Sequence, residues 1–288
     1  MSTRRSAVLL TALALLTAAC SSDAAQDATT SSTEAPTTTM ALAPATFTVQ
    51  PGTGQIAALG LEPGTEVHAI APDGTDVTSK AADENGAVLF RDLKPVAGWR
   101  LRTATEETDE ITILSPNDVP DRSLYTDQQT LLPADGGFGY IVTRDGTTLS
   151  ANVILPGPAA NGPYPTVVEY SGYAPSNPDD AALAAIYTAQ GFAYVGVNMR
   201  GTGCSGGSYR FFETSQLLDG YDAIEAIAAQ PWVLDHQVGM VGISYPGISQ
   251  LFVASTQPPS LNSITPLSVL EDRKSTRLNS SHVALYRM

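Results

Sequence analysis

The spacing of apolar positions divides the chain into stretches of different character. Between Phe47 and Leu114 short alternating runs recur, such as Thr65-Glu66-Val67-His68-Ala69-Ile70 and Ala87-Val88-Leu89-Phe90, separated by the turn signals Pro63-Gly64, Asp73-Gly74 and Asn85-Gly86. Alternation of that length between glycine-containing turns predicts short antiparallel strands. Residues 46–115 are therefore expected to form a small antiparallel β-domain, sandwich-like. It holds no polar constellation, which assigns it a spacer or lid role ahead of a binding role.

A polar connection with two prolines follows, from Ser115 to about Leu132, and then the period changes. Tyr140-Ile141-Val142-Thr143 and Leu149 to Leu155 flank Arg144-Asp145-Gly146-Thr147, the pattern of a hairpin with a tight turn. Thr166 to Tyr170, Phe192 to Asn198 and Val238 to Gly242 are apolar runs of buried-strand type, and Asp180 to Gln190 and Asp219 to Gln230 are helix-like stretches between them. Strands alternating with helices predict a parallel sheet with crossover helices, extended at one edge by the hairpin. The fold class is α/β, and the order fits the first part of an α/β-hydrolase, incomplete here, over residues 120–271.

The first twenty residues carry Arg4 and Arg5, an apolar run from Ala7 to Leu16, and small residues before Cys20. That run is about half the roughly 20 residues a membrane-crossing helix needs, so residues 1–20 read as a signal peptide with a lipoprotein-type end. Thr17 stands where a lipobox usually has Leu. Cys20 is the expected lipidation site, with ordinary secretion as the other outcome. Residues 21–45, mostly Ser, Thr, Ala, Asp and Pro, lack the large apolar side chains that offset the entropy of ordering and read as a disordered tether.

Composition narrows the function classes. A hydrophobic fraction of 43% can build a core, while a net charge of -14 repels nucleic acid and anionic headgroups. No nucleic-acid partner is expected, and the membrane is met only through a lipid anchor. The second cysteine, Cys204, lies among glycines with no adjacent base, so it is read as structural, and no disulfide framework is available. No metal cluster or glycine-rich phosphate loop occurs, and no cofactor is expected.

The chemistry concentrates where the third apolar strand runs into Gly242-Ile243-Ser244-Tyr245-Pro246-Gly247. A serine on a sharp strand-to-helix turn is pushed out above the sheet, its neighbours must be small, and the helix N-terminus behind it favours developing negative charge. The residue two after the serine is Pro246 rather than glycine, which the first turn of a helix tolerates.

Several motifs in order now resemble one family. Asp219-Gly220-Tyr221-Asp222-Ala223-Ile224-Glu225, Gln230-Pro231-Trp232 and Val238 through Gly247 resemble the nucleophile region of the cocaine esterases and Xaa-Pro dipeptidyl-peptidases. Asn198-Met199-Arg200-Gly201-Thr202-Gly203-Cys204-Ser205-Gly206-Gly207 resembles the same family's Arg-Gly turn, and the likeness runs from about Gly139 to Pro266. It implies Ser244 as nucleophile, and an oxyanion hole made of the Tyr173 hydroxyl and the backbone N–H of Tyr245. Arg200 is open to two readings, holding a carbonyl or carboxylate near the active site or capping the strand turn. Asp219 and Asp222 are expected to cap and charge a helix start.

A serine hydrolase of this fold needs an acid and then a histidine after the nucleophile. Asp272 and His282 occur in that order, but they fall in residues 272–288, which show no apolar periodicity and resemble translated adapter sequence. This tail is expected to be non-native, and the chain as drawn to be a truncated, nearly inactive fragment. His68 and His236 are expected to be ordinary polar residues. The expected function is an exported serine hydrolase of a small ester or peptide; the other class is a lipid-anchored binding module with a vestigial hydrolase domain.

Overall fold

The alternating runs of the first part pair as strands. In the computed structural model, which describes residues 41–130, 132–179 and 182–269, they are β1 (Ala43–Pro44), β2 (Thr48–Gly52), β3 (Gln55–Leu59), β4 (Glu66–Ile70), β5 (Asp76–Ala81), β6 (Ala87–Phe90), β7 (Arg100–Arg102) and β8 (Glu106–Glu107). Among the described residues they form a sheet in the order β1-β8-β7-β4-β5 and another in the order β2-β3-β6. Every pair is antiparallel except β1 with β8, which is parallel. Pairing thus begins at Ala43, ahead of the boundary read at 45. The inward positions of the alternation, Ile56, Ala58, Val67, Ala69, Val88, Phe90 and Leu101, bury together with Trp99 and Ile113.

The second part opens with a one-turn helix α1 (Ser123–Thr126) and the hairpin β9 (Gly137–Val142) and β10 (Thr148–Ile154). Then come β11 (Tyr164–Ser171), α2 (Ala182–Thr188), β12 (Ala193–Asn198), α3 (Thr214–Ala228), β13 (Val233–Ile243), α4 (Tyr245–Ser255) and β14 (Leu261–Leu267). The sheet order is β14-β13-β11-β12-β10-β9 among the described residues. Pairs from β12 to β14 are parallel, and β10 joins β12 and β9 antiparallel, so the hairpin does extend one edge. Both faces are covered, as an apolar parallel sheet requires. Val168 and Tyr170 of β11 join Ala223, Ile224 and Ile227 of α3 and Val253 of α4, whereas Val167 joins Ala184 of α2 with Tyr194 and Val241. This layered α/β architecture is that of an α/β-hydrolase.

Two sequence readings are corrected. The helix expected from Asp219 starts at Thr214, because its first turns bury polar side chains that have partners and so hide the apolar period. Ser215 Oγ donates to Thr53 O at 3.2 Å, and Gln216 Oε1 accepts from Phe212 N at 3.0 Å. Asp219 and Asp222 consequently lie in the helix interior, buried, and do not cap its start. The strand expected from Val238 starts at Val233, so that His236 lies inside β13; Asp235 and His236 both take φ +54 there, and the pairing of β13 is irregular alongside. Residues 1–40 and 270–288, with Cys20, Asp272 and His282, lie outside the described residues. No helix among the described residues is long and apolar enough to cross a membrane.

Candidate active site at the Ser244 elbow

Ser244 joins the end of β13 to the start of α4 and takes φ 65, ψ -116. A non-glycine residue there is strained and persists only where its surroundings fix it. Three contacts do so. The Ser244 N–H donates to Leu267 O of β14 at 2.9 Å, and the Ser244 carbonyl accepts from Ile248 N at 2.9 Å. Ser249 Oγ donates to Tyr170 O at 2.7 Å, tying the first turn of α4 to the end of β11. A Cβ at Gly242 would stand 2.6 Å from Pro246 Cβ, and one at Gly247 would overlap Leu267 O, so the turn closes only with glycine at both. Pro246 occupies the first helical turn, where its missing N–H costs nothing. The serine side chain is left exposed at a helix N-terminus.

Tyr245 follows directly and is the best anchored side chain of the elbow. Its hydroxyl donates to Met199 Sδ at 3.0 Å and shares a 3.2 Å hydrogen bond with Tyr209. Burial, and then that bond to Tyr209, push its phenol well above the ordinary value, so it stays neutral. Its ring meets Tyr173 at 5.6 Å, Phe211 at 5.5 Å and Phe212 at 5.2 Å between centroids. Tyr173, 63% exposed, leaves β11 just past Ser171, whose Oγ accepts its N–H at 3.0 Å. The structure therefore brings Ser244, Tyr245 and Tyr173 to one end of the parallel strands, where open α/β sheets place their sites.

Arg200 belongs to a buried ionic cluster, of which the sequence singled out Arg200, Asp219 and Asp222 but not the ion-pair roles of Arg144 and Asp145. The guanidinium, 2% exposed, meets Asp219 Oδ1 at 2.5 Å and Asp145 Oδ2 at 2.9 Å. Of its two readings, a grip on carboxylates is the one realised. Asp222 in turn meets Arg144 Nη2 at 2.8 Å and accepts from Tyr125 OH at 2.7 Å. Burial works against the Asp145 carboxylate, but Arg200 and the hydroxyls of Thr147 and Thr143 together hold it below its ordinary value. Burial dominates at Asp219 and pushes it up to about 7 despite Arg200.

Neither described histidine joins Ser244. His236 Nδ1 lies 2.8 Å from Ala228 O, and His236 stands eight residues before Ser244, roughly 25 Å away at strand rise. His68 pairs with Asp76 at 2.8 Å in the first part of the chain. Cys204 is a free, exposed thiol. No cluster of metal-ligating side chains occurs among the described residues. Sequence reasoning missed Tyr209, Phe211 and Phe212, though an aromatic run just past a glycine-rich turn was a usable signal.

The sheet order and the strand–serine–helix turn are those of the α/β-hydrolase fold class. Residues 145–284 match the family described as X-Pro dipeptidyl-peptidase (S15 family), which bears out the resemblance carried by the motifs. No match is found among curated proteins. Among solved structures, the chain is similar to a CocE/NonD-family hydrolase from Staphylococcus aureus, with 26% identity, TM-score 0.40, and 44% of this chain and 26% of that chain covered. An α-amino acid ester hydrolase gives 19% identity and TM-score 0.38, covering 52% of this chain and 26% of that one. Acetyl xylan esterase 1 from a Thermoanaerobacterium species gives 17% identity and TM-score 0.38, covering 52% and 59%. The chain thus spans about a quarter of the first of these relatives.

Proposed function

We propose that the protein is a serine hydrolase that transfers an acyl group from an ester or amide to Ser244. The observation that carries this reading is the strained Ser244 at the start of α4, with Tyr245 next to it and Tyr173 packed against Tyr245. In the reaction, Ser244 Oγ bonds to the acyl carbon and gives its proton to a base. The leaving alcohol or amine departs with a proton, and water then releases the acid in the same way. While the carbonyl oxygen carries negative charge, the Tyr245 N–H and the Tyr173 hydroxyl are its donors. The base must join the site from beyond the described residues, since His68 and His236 are held elsewhere. Xaa-Pro dipeptides, other α-amino acyl groups and simple carboxylic esters are the substrate classes to compare. Export through residues 1–20, with Cys20 as lipid anchor, completes the reading.

The test is acylation by nitrophenyl esters and Xaa-Pro nitroanilides, followed by peptide mapping. Ser244→Ala is expected to abolish the adduct, and Tyr173→Phe to slow its formation by roughly 10²-fold, the scale of one oxyanion donor. An unchanged rate in Ser244→Ala would refute the assignment.

A further inference from the structure

The spacer reading of the β-domain leaves unexplained why its best-bonded external contacts converge on one loop, residues 208–213. Arg91, at the end of β6, donates from Nε to Glu213 Oε2 at 3.1 Å and from Nη2 to Ser208 Oγ at 3.0 Å. It therefore grips both ends of the loop with one guanidinium. The next residue, Asp92, sits at φ 59 and meets Arg210 Nη1 at 3.1 Å. Between these anchors stand Tyr209, Phe211 and Phe212, and all three touch Tyr245. Phe212 itself takes φ 48 and stacks on Phe252 at 4.2 Å. A loop with a left-handed phenylalanine holds that shape only while its ends are fixed.

We propose that Arg91 is a positioning residue for acyl transfer: it sets the 208–213 loop so that Tyr209 and Phe211 wall the space beside Tyr245. The acyl groups this wall takes are aromatic or bulky and apolar. This rests on the reading of Ser244 as the nucleophile. Phe211 is 61% exposed although its ring lies against Tyr245, so it offers apolar surface at the elbow without being spent in the core. The loop's one cation, Arg210, is engaged by Asp92, and its carboxylate, Glu213, by Arg91, which leaves aromatic rings as the surface turned to the elbow. Two anchors from one side chain require the planar fork of arginine; a lysine supplies a single point of charge.

Arg91→Ala strands Glu213, whose Oε1 already has no partner among the described residues, so Arg91→Lys, which keeps the charge, is made beside it and thermal midpoints are recorded for both. Hydrogen exchange in the full chain is expected to speed up by about tenfold or more over residues 207–213 in Arg91→Ala, less in Arg91→Lys, with β4 and β7 unaffected. In peptide mapping, the rate advantage of nitrophenyl phenylacetate over nitrophenyl acetate in acylating Ser244 is expected to fall by about tenfold, while the acetate rate holds within about twofold. Unchanged exchange over 207–213, or equal slowing of both esters in the folded Arg91→Lys protein, would overturn the proposal. Absence of any Ser244 adduct in the parent protein would instead sink the nucleophile reading, and the exchange result would still judge the grip of Arg91 on the loop.

Discussion

Arg200 faces two buried carboxylates, and their unequal treatment follows from charge balance. With both ionised the Asp145–Arg200–Asp219 triad would carry a net negative charge in a low-dielectric interior. Holding Asp145 ionised and Asp219 protonated leaves it neutral, which matches the downward shift of one and the value of about 7 for the other. Because the folded value of Asp219 lies above the ordinary 3.8, the fold favours its protonated form. Its contribution to stability is complete below about pH 4 and is lost as the pH rises through 7. Asp219→Asn is therefore expected to remove that decline, so that urea midpoints at pH 5 and pH 8 converge relative to the parent. Asp145→Asn is expected to cost about 3–5 kcal/mol at pH 5, where Asp219 is protonated and the guanidinium is left without an ionised partner. Equal destabilisation by the two variants at pH 5 would contradict this division of charge.

The elbow is a property of three elements held together, β13, α4 and β14. Gly247 lets the first turn of α4 close onto Leu267 O, and the same β14 residue accepts the Ser244 N–H. Gly247→Ala is expected to force α4 and β14 apart, lowering stability by about 1–3 kcal/mol and slowing acylation of Ser244 more than it shifts the thermal midpoint would suggest. Calorimetry paired with labelling rates checks this; a variant that loses stability but labels at the parent rate would show that the strain at Ser244 is set elsewhere. Much of this element was readable from the chain, because a buried strand, small residues and a helix pattern meet at one serine. The start of α3 was not. Ser215 and Asp219 face inward to partners distant in sequence, Thr53 and Arg200, and pairing at that range leaves no local period.

At the scale of the molecule, the alternation of strands and helices was enough to foresee the sheet and its antiparallel edge, and the glycine-containing turns were enough for the strands before it. What the period could not carry is how the two parts meet. Arg91, Asp92 and Gln50 carry no motif of their own in the sequence, yet they bond to Glu213, Arg210 and Thr147 across that seam. The aromatic wall at the elbow escaped for the same reason, since its support is supplied by residues more than a hundred positions away.

The most direct measurement is the reaction of the folded chain with a fluorophosphonate, followed by peptide mapping, beside the same chain in urea. An elbow with its oxyanion donors retains roughly 10³–10⁴-fold of catalysis over water even without a triad partner. The expected result is that Ser244 is modified ahead of every other serine, threonine and tyrosine, and that urea removes the preference. Modification of Ser244 no faster than of other serines, or equally fast in urea, would contradict its assignment as the nucleophile.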